Sequence, residues 1–293
     1  MLWLVLSIFT NGLIGVIFKI YGEKGINTYL AIAVNYFVCV ITASIYLGEF
    51  AIPLDFFSKP WCYWALFLGL LFPLIFNLYA LSIKHIGIVI STIFQKMSLI
   101  APVIIGILWF REEITLLKSS GIMLAIAAIV LLPMKTGNDK DNNDNDTGNI
   151  KTYIWIAFLV FLGSAFIDTG LLFVEKLDGN TSGDIGFIAT LFLIAGIISI
   201  PIFFIQKNRL QFTVKRKDFM AGIFLGVPNF FSIYFITKAL STGLDGSRFF
   251  PINNVGILLF SAVIGILWYK EEMNSYRYLG IGLSVFSIIL LAL

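Results

Sequence analysis

Lys96 stands beside Gln95 in one apolar run, and Asp168 stands alone in another, SAFIDTGLLF. Charged groups are costly in lipid, and those kept there face a cavity or a partner. An ammonium at Lys96 can hold an anionic substrate group. A buried carboxylate at Asp168 can take up and release a proton, or it can pair with a cation such as Lys96 or Lys238. Ser91, Gln95, Ser98 and Pro102 recur at i, i+4, i+7 and i+11 and so share one helical face, which Lys96 borders. Two readings of Lys96 stay open: a cation beside a pore-lining stripe, or a lysine that snorkels to the interface.

A second run carries Arg248, Pro251, Asn253 and Asn254. The Arg248 fork suits a carboxylate, and it equally suits an interfacial anchor. Gln95, Lys96, Ser98, Arg248, Asn253 and Asn254 are the substrate-contact candidates, and Asp168 is the proton-coupling candidate. Pro102 and Pro251 each remove a backbone hydrogen bond in mid-helix. A kink or broken turn there frees carbonyls towards a cavity.

The elements that must position these residues are apolar windows at 2–19, 29–47, 61–82, 87–109, 115–133, 152–174, 185–205, 218–240, 247–268 and 276–293. With 59% apolar and 13% charged residues and a mean hydropathy of +0.94, a soluble fold would leave too much apolar surface uncovered. Ten spans of about 20 residues fit the length. Only helices and closed barrels satisfy their backbone in lipid, and no alternating pattern favours a barrel. The first window is expected to be a span, not a removed signal peptide. Windows three and four, and eight and nine, are separated by a few residues, which predicts tight helical hairpins.

The chain also repeats itself. Ile105 to Glu113 read IGILWFREE and Ile264 to Glu272 read IGILWYKEE, 159 residues on. At that offset Gly121 maps onto Gly280, Leu131-Leu132 onto Leu290-Leu291, Gln95 onto Asn254 and Lys96 onto Val255. The polar stretch Lys135 to Lys151, KTGNDKDNNDNDTGNIK, reads as a flexible linker. It divides the chain into repeats 1–134 and 152–293 around the linker 135–151, with five windows in each. An odd number of spans per repeat turns the second upside down. The expected fold is an all-α membrane protein of ten transmembrane helices in two inverted five-helix repeats, the plan of many secondary transporters.

Other features carry less. Cys39 and Cys62 read as packing residues. One histidine, His85, and no thiolate pair leave no zinc site, so neither metal nor cofactor is expected. The basic run Lys207 to Lys217 suits anionic headgroups, not nucleic acid. Trp61, Trp64, Trp109, Trp155 and Trp268 fall near window ends, as in aromatic belts. Glu112-Glu113 and Glu271-Glu272 are expected to be loop charges, and Lys19 and Glu175 interfacial ones. Gly222 and Gly226 form a GxxxG pair suited to close helix contact. Counted with the window ends that adjoin them and without Lys96, the loops after odd spans hold 13 Lys and Arg against 6 after even spans. The positive-inside rule then places both termini outside the cytoplasm.

Each copy of the repeated motif follows a proline (Pro102, Pro251), closes in an acidic turn and leads to a last, glycine-bearing span. In these respects the chain resembles the drug/metabolite transporter superfamily, and within it the EamA-type carriers. The resemblance implies a central cavity between two inverted repeats and the export or exchange of small organic molecules. It also implies cytoplasmic termini, against the charge count, and glycine where Arg111 and Lys270 stand. The expected protein is a transporter of a small metabolite, amino acid-like or otherwise polar or amphipathic, in a bacterial inner membrane. Its partners are that substrate and the lipid bilayer. A lipid-linked substrate flippase and a non-transporting scaffold or receptor are the alternatives, and an enzyme is not expected.

Overall fold

The computed structural model describes residues 1–86, 88–132, 150–178, 185–268 and 275–293. They form eleven α-helices: α1 (Leu2–Glu23), α2 (Thr28–Leu47), α3 (Cys62–Ile86), α4 (Ile88–Met97), α5 (Ile100–Leu108), α6 (Leu116–Leu131), α7 (Ile150–Asp178), α8 (Ile185–Leu210), α9 (Arg216–Ser241), α10 (Gly246–Leu267) and α11 (Ser275–Ala292). No strand occurs among the described residues. Nine segments there are long and apolar enough to cross a membrane, with α4 and α5 sharing one of them, and α6 is a shorter apolar helix. This is an all-helical, integral, multi-pass membrane protein. Every predicted window coincides with a helix, except that the fourth is divided into α4 and α5. Most of the predicted linker, 135–149, and the acidic pair Glu271-Glu272 lie outside the described residues.

The helices gather into two compact units, Met1–Leu74 with Gly170–Gly243 and Ile75–Thr169 with Leu244–Leu293. The units do not follow the sequence repeats, because each takes helices from both. The first contains α1, α2, α8 and α9, with the start of α3 and the end of α7. The second contains α4, α5, α6, α10 and α11, with the end of α3 and most of α7.

In the first unit α2 packs on α8 and α9, and α9 packs in turn on α1. Asn27 caps α2 by accepting from Leu30 N–H at 3.1 Å. Its own N–H donates to Asp218 Oδ1 at 2.9 Å, while Lys215 N–H donates to Asp218 Oδ2 at 2.9 Å. One buried carboxylate so fixes the starts of α2 and α9 together, and the two helices run parallel. The predicted glycine contact follows from this. A Cβ on Gly222 would stand 2.6 Å from Val34 Cβ, and one on Gly226 would stand 2.5 Å from Val38 Cβ. Between helices in lipid, such close backbone approach substitutes for hydrophobic drive. Asn229 Nδ2 donates to Asn35 Oδ1 at 3.0 Å, so these two buried amides serve each other across the seam. Gly226→Val is expected to cost about 1–3 kcal/mol by overpacking, read as earlier unfolding in a detergent titration. An unchanged midpoint would show that this seam is not tight.

Cys39 and Cys62 are buried free thiols, as packing residues should be. One other expectation fails in this unit. Trp61 is only 2% exposed and meets Phe187 edge-on at 5.8 Å. It is therefore a core residue, unlike the exposed Trp109, Trp155 and Trp268. Glu175 is buried one residue before the end of the candidate span Tyr153–Lys176.

In the second unit α6 packs along α11, and α10 packs on α5, α6 and α11. A Cβ on Gly121 would lie 2.7 Å from Leu291 Cγ, and one on Gly280 would lie 3.0 Å from Leu132 Cγ. The start of each helix thus meets the end of the other, so the pair is antiparallel. Gly121 and Gly280, and Leu132 and Leu291, are the same positions of the two repeats. The contact is therefore reciprocal, as across a local two-fold axis. Ser287 Oγ completes it by donating to Gly121 O at 2.8 Å.

The turn after α5 places Arg111 at φ 54°, a left-handed conformation that favours glycine. This accounts for the glycine that the family resemblance leads one to expect here. The turn forms with arginine in its place, at a strain cost. Arg111 is exposed, so Arg111→Gly removes strain and little contact. It is expected to stabilise the protein by about 0.5–1 kcal/mol, checked by thermal unfolding in detergent. A lower unfolding temperature would contradict it.

Candidate functional site

All of the substrate-contact, coupling and helix-breaking candidates lie in the second unit. They are positioned by a break in the fourth span. Pro102 has no N–H, and its ring crowds the carbonyl four residues back, that of Ser98. The helix stops at Met97 and restarts at Ile100. Across the gap, Ser98 N–H and Leu99 N–H reach back only three residues, to Gln95 O and Lys96 O, both at 3.4 Å. Ser98 O instead accepts from Ala101 N–H at 3.0 Å. Lys96 therefore occupies the last turn of α4, where the negative end of the helix dipole favours a cation.

Asp168, from the middle of α7, meets this break. Ser98 Oγ donates to Asp168 Oδ2 at 2.8 Å, and Lys96 lies close enough for the two charges to act on each other. Lys96 and Gln95 are half-buried, while Ser98 is buried. The structure thus joins Lys96, Ser98 and Asp168 into one polar cluster at a discontinuity of the backbone.

The expected stripe does not continue through this span. The break resets the helical phase between Gln95 and Pro102, and Ser91 instead hydrogen-bonds Ser82 at 2.7 Å. Together with Tyr79 Oη and Thr92 Oγ1 at 2.9 Å, this contact ties α3 to α4. Only one of the two prolines lies beside a break. Helix α10 passes through Pro251 without interruption, so the second predicted break is absent. Pro251 stands in the second turn, near the helix start, where few intrahelical bonds depend on it.

Helix α10 carries the remaining candidates. Asn253 and Asn254 are buried, at 4% and 6% exposure, and Arg248 is half-buried. Arg248 Nε and Asn254 Nδ2 are buried donors with no hydrogen-bond partner. Such groups are rare in folded proteins and call for a ligand or a water.

Sequence reasoning missed a second cluster at the start of α10. Glu112, expected to be a loop charge, is 8% exposed. Its carboxylate accepts from Gly246 N–H at 2.8 Å, from Ser247 N–H at 2.9 Å and from Ser247 Oγ. Lys118, only 2% exposed, stands 3.8 Å from Glu112 and 3.1 Å from Asp245, and it donates to Glu113 O at 2.9 Å. The turn of the repeated motif thus caps α10, because its left-handed residue directs the carboxylate inward. A signal for it was present: the motif acid recurs as Glu112 and Glu271, and a cation follows at the same spacing, Lys118 and Arg277.

Among the described residues, no group of three or more His, Cys, Asp or Glu gathers as metal ligands do. Residues 150–293 match the EamA-like transporter family. Over 296 residues the chain is 29% identical to an uncharacterized protein of Haemophilus influenzae, covering 97% of this chain and 95% of that one. A crystal structure superposes with a TM-score of 0.77 at 12% identity, covering 99% of this chain and 94% of its own. At that identity the likeness is one of fold.

Proposed function

Its second half belongs to the EamA-like transporter family, and from that premise we propose that this membrane protein is a secondary carrier of a small organic metabolite. The observation that carries the reading is the break at Ser98–Leu99, with Lys96 and Asp168 gathered beside it. Interrupted spans with exposed helix ends and charged side chains are how carriers bind polar cargo in a membrane. Lys96, Gln95, Ser98, Arg248, Asn253 and Asn254 contact the substrate, and Asp168 couples transport to a proton. The two five-helix repeats are inverted and rock about this site. The antiparallel α6 and α11, equivalent helices with reciprocal contacts, support that arrangement. A relative in Haemophilus influenzae supports a place in a bacterial inner membrane, with export or exchange as the direction of use.

Reconstituted into liposomes and offered a metabolite mixture, the wild type is expected to move its substrate. Lys96→Ala and Asp168→Ala are each expected to lower the rate at least about tenfold, the effect of losing about 1.4 kcal/mol of interaction. Unchanged transport by both variants would remove the site.

A further inference from the structure

We infer that the compound carried is an organic anion whose carboxylate is received on α10 by Arg248, with a further acceptor oxygen taken by Asn254. This rests on the carrier reading and specifies its substrate class. Four observations lead to it.

Arg248 Nε is buried and unpaired. So is Asn254 Nδ2, on a residue with 6% exposure. Both are donors, so what completes them must accept. They sit six residues apart on one helix, about 9 Å along its axis and about 120° apart around it, so a molecule that meets both needs acceptors at two well-separated points.

The acids nearest Arg248 in the chain and at the helix start are already engaged. Glu112 receives the first amides of α10, and Asp245 Oδ2 lies 3.1 Å from Lys118 Nζ. The remaining acid of the cluster, Asp168, is held by Ser98 and faces Lys96. Of the cations considered in this unit, Lys118 is met by Glu112 and Asp245, and Lys96 stands two residues from Ser98, which holds Asp168.

Among the described residues, Arg248 has no acid within ion-pair distance, and its Nε is buried. Near the end of a span the guanidinium head can reach water, but its buried Nε still needs an acceptor. A bound carboxylate supplies one, and its planar pair of oxygens matches the guanidinium fork. An amine or a neutral sugar leaves Arg248 uncompensated. The sequence presents this arginine as an anchor or a ligand group, and the engaged acids around it favour the second.

The test uses purified full-length protein and its thermal unfolding in detergent. The probes are lactate, phenylacetate and glutarate, each compared with its own amide at equal concentration. A ligand that binds the folded state raises the unfolding temperature according to its excess over Kd. At least one carboxylate is expected to raise it by several degrees while its amide does not. Arg248→Gln is expected to abolish that shift, Arg248→Lys to retain part of it, and Asn254→Leu to reduce it.

Helical content of each variant, read by circular dichroism, separates lost binding from lost folding. Equal shifts by acid and amide, no shift by any of the three acids, or a full shift retained in a folded Arg248→Gln would each overturn the inference. Its failure is distinct from failure of the carrier reading. The latter is decided by the Lys96 and Asp168 variants in liposomes, whatever the charge of the cargo.

Discussion

Glu112→Ala is expected to destabilise the protein by about 3–5 kcal/mol, the range for removing one partner of a buried charged cluster. Three donors of the first turn of α10, Gly246 N–H, Ser247 N–H and Ser247 Oγ, lose their acceptor at once. The loss of a helix cap alone accounts for about 1 kcal/mol. The rest comes from Lys118, which keeps Asp245 but loses the nearer-buried of its two acids. Glu112→Gln retains one oxygen and the shape, and should fall between. Unfolding by a denaturing detergent, followed by circular dichroism, gives the ordering wild type, then Gln, then Ala. A deficit under about 1 kcal/mol for alanine would mean that the cluster is ornamental to α10. Transport by whatever Glu112→Gln protein remains folded should be near normal, because no part of this cluster belongs to the proposed substrate site.

The second large effect is expected at Lys96 and Asp168, where stability and transport should part company. Asp168→Ala removes the carboxylate that Ser98 and Lys96 face, and leaves a lysine in the span without its acid. Lys96→Ala leaves the acid without its cation. Each single variant is expected to lose stability, by about 1–3 kcal/mol, since both side chains are only half-buried. The double variant removes both charges and should recover much of that loss, a coupling of about 0.5–3 kcal/mol in a double-mutant cycle. Uptake into liposomes should stay at least tenfold down in the double variant, since a carrier site is not rebuilt by neutral residues. If the double variant transports as the wild type does, the pair is only a structural ion pair. If the two losses simply add, the charges do not act on each other.

Much of the fold was legible because lipid allows so few solutions. Long apolar windows must be helices, and their ends fall where Asn27 and Thr115 cap, or where glycine and polar runs begin. What escaped was tertiary. Hydropathy reads window four as one helix, since Ser98 and Leu99 do not lower its average. The break depends on the clash between the Pro102 ring and one carbonyl. Pro251 has the same chemistry and no break, and neither do Pro73, Pro201 and Pro228 inside α3, α8 and α9, so a proline in the sequence does not by itself encode one.

The site was legible in residue type and not in arrangement. Lys96 and Asp168 were singled out because charge in lipid is rare. That they meet through Ser98 depends on how α7 passes α4, which spacing along the chain does not encode. Glu112 was misread for the opposite reason. An acid after a tryptophan at a span end looks solvated, and only the backbone turn at Arg111 aims it inward.

The division of the chain into units that each draw on both repeats has a consequence for biosynthesis. The first unit waits for residues up to Gly243 and the second for Leu293. Between the emergence of Leu74 and that of Gly170 lie 170 − 74 = 96 residues, roughly 5–20 s of translation at about 5–20 residues per second. Throughout that interval Val34 and Val38 are already in the bilayer, while the glycines that receive them, Gly222 and Gly226, do not yet exist. Insertion must therefore precede packing by many seconds. A ribosome that stalls in the polar segment before Ile150 leaves five spans, α1 to α6, with neither unit finished.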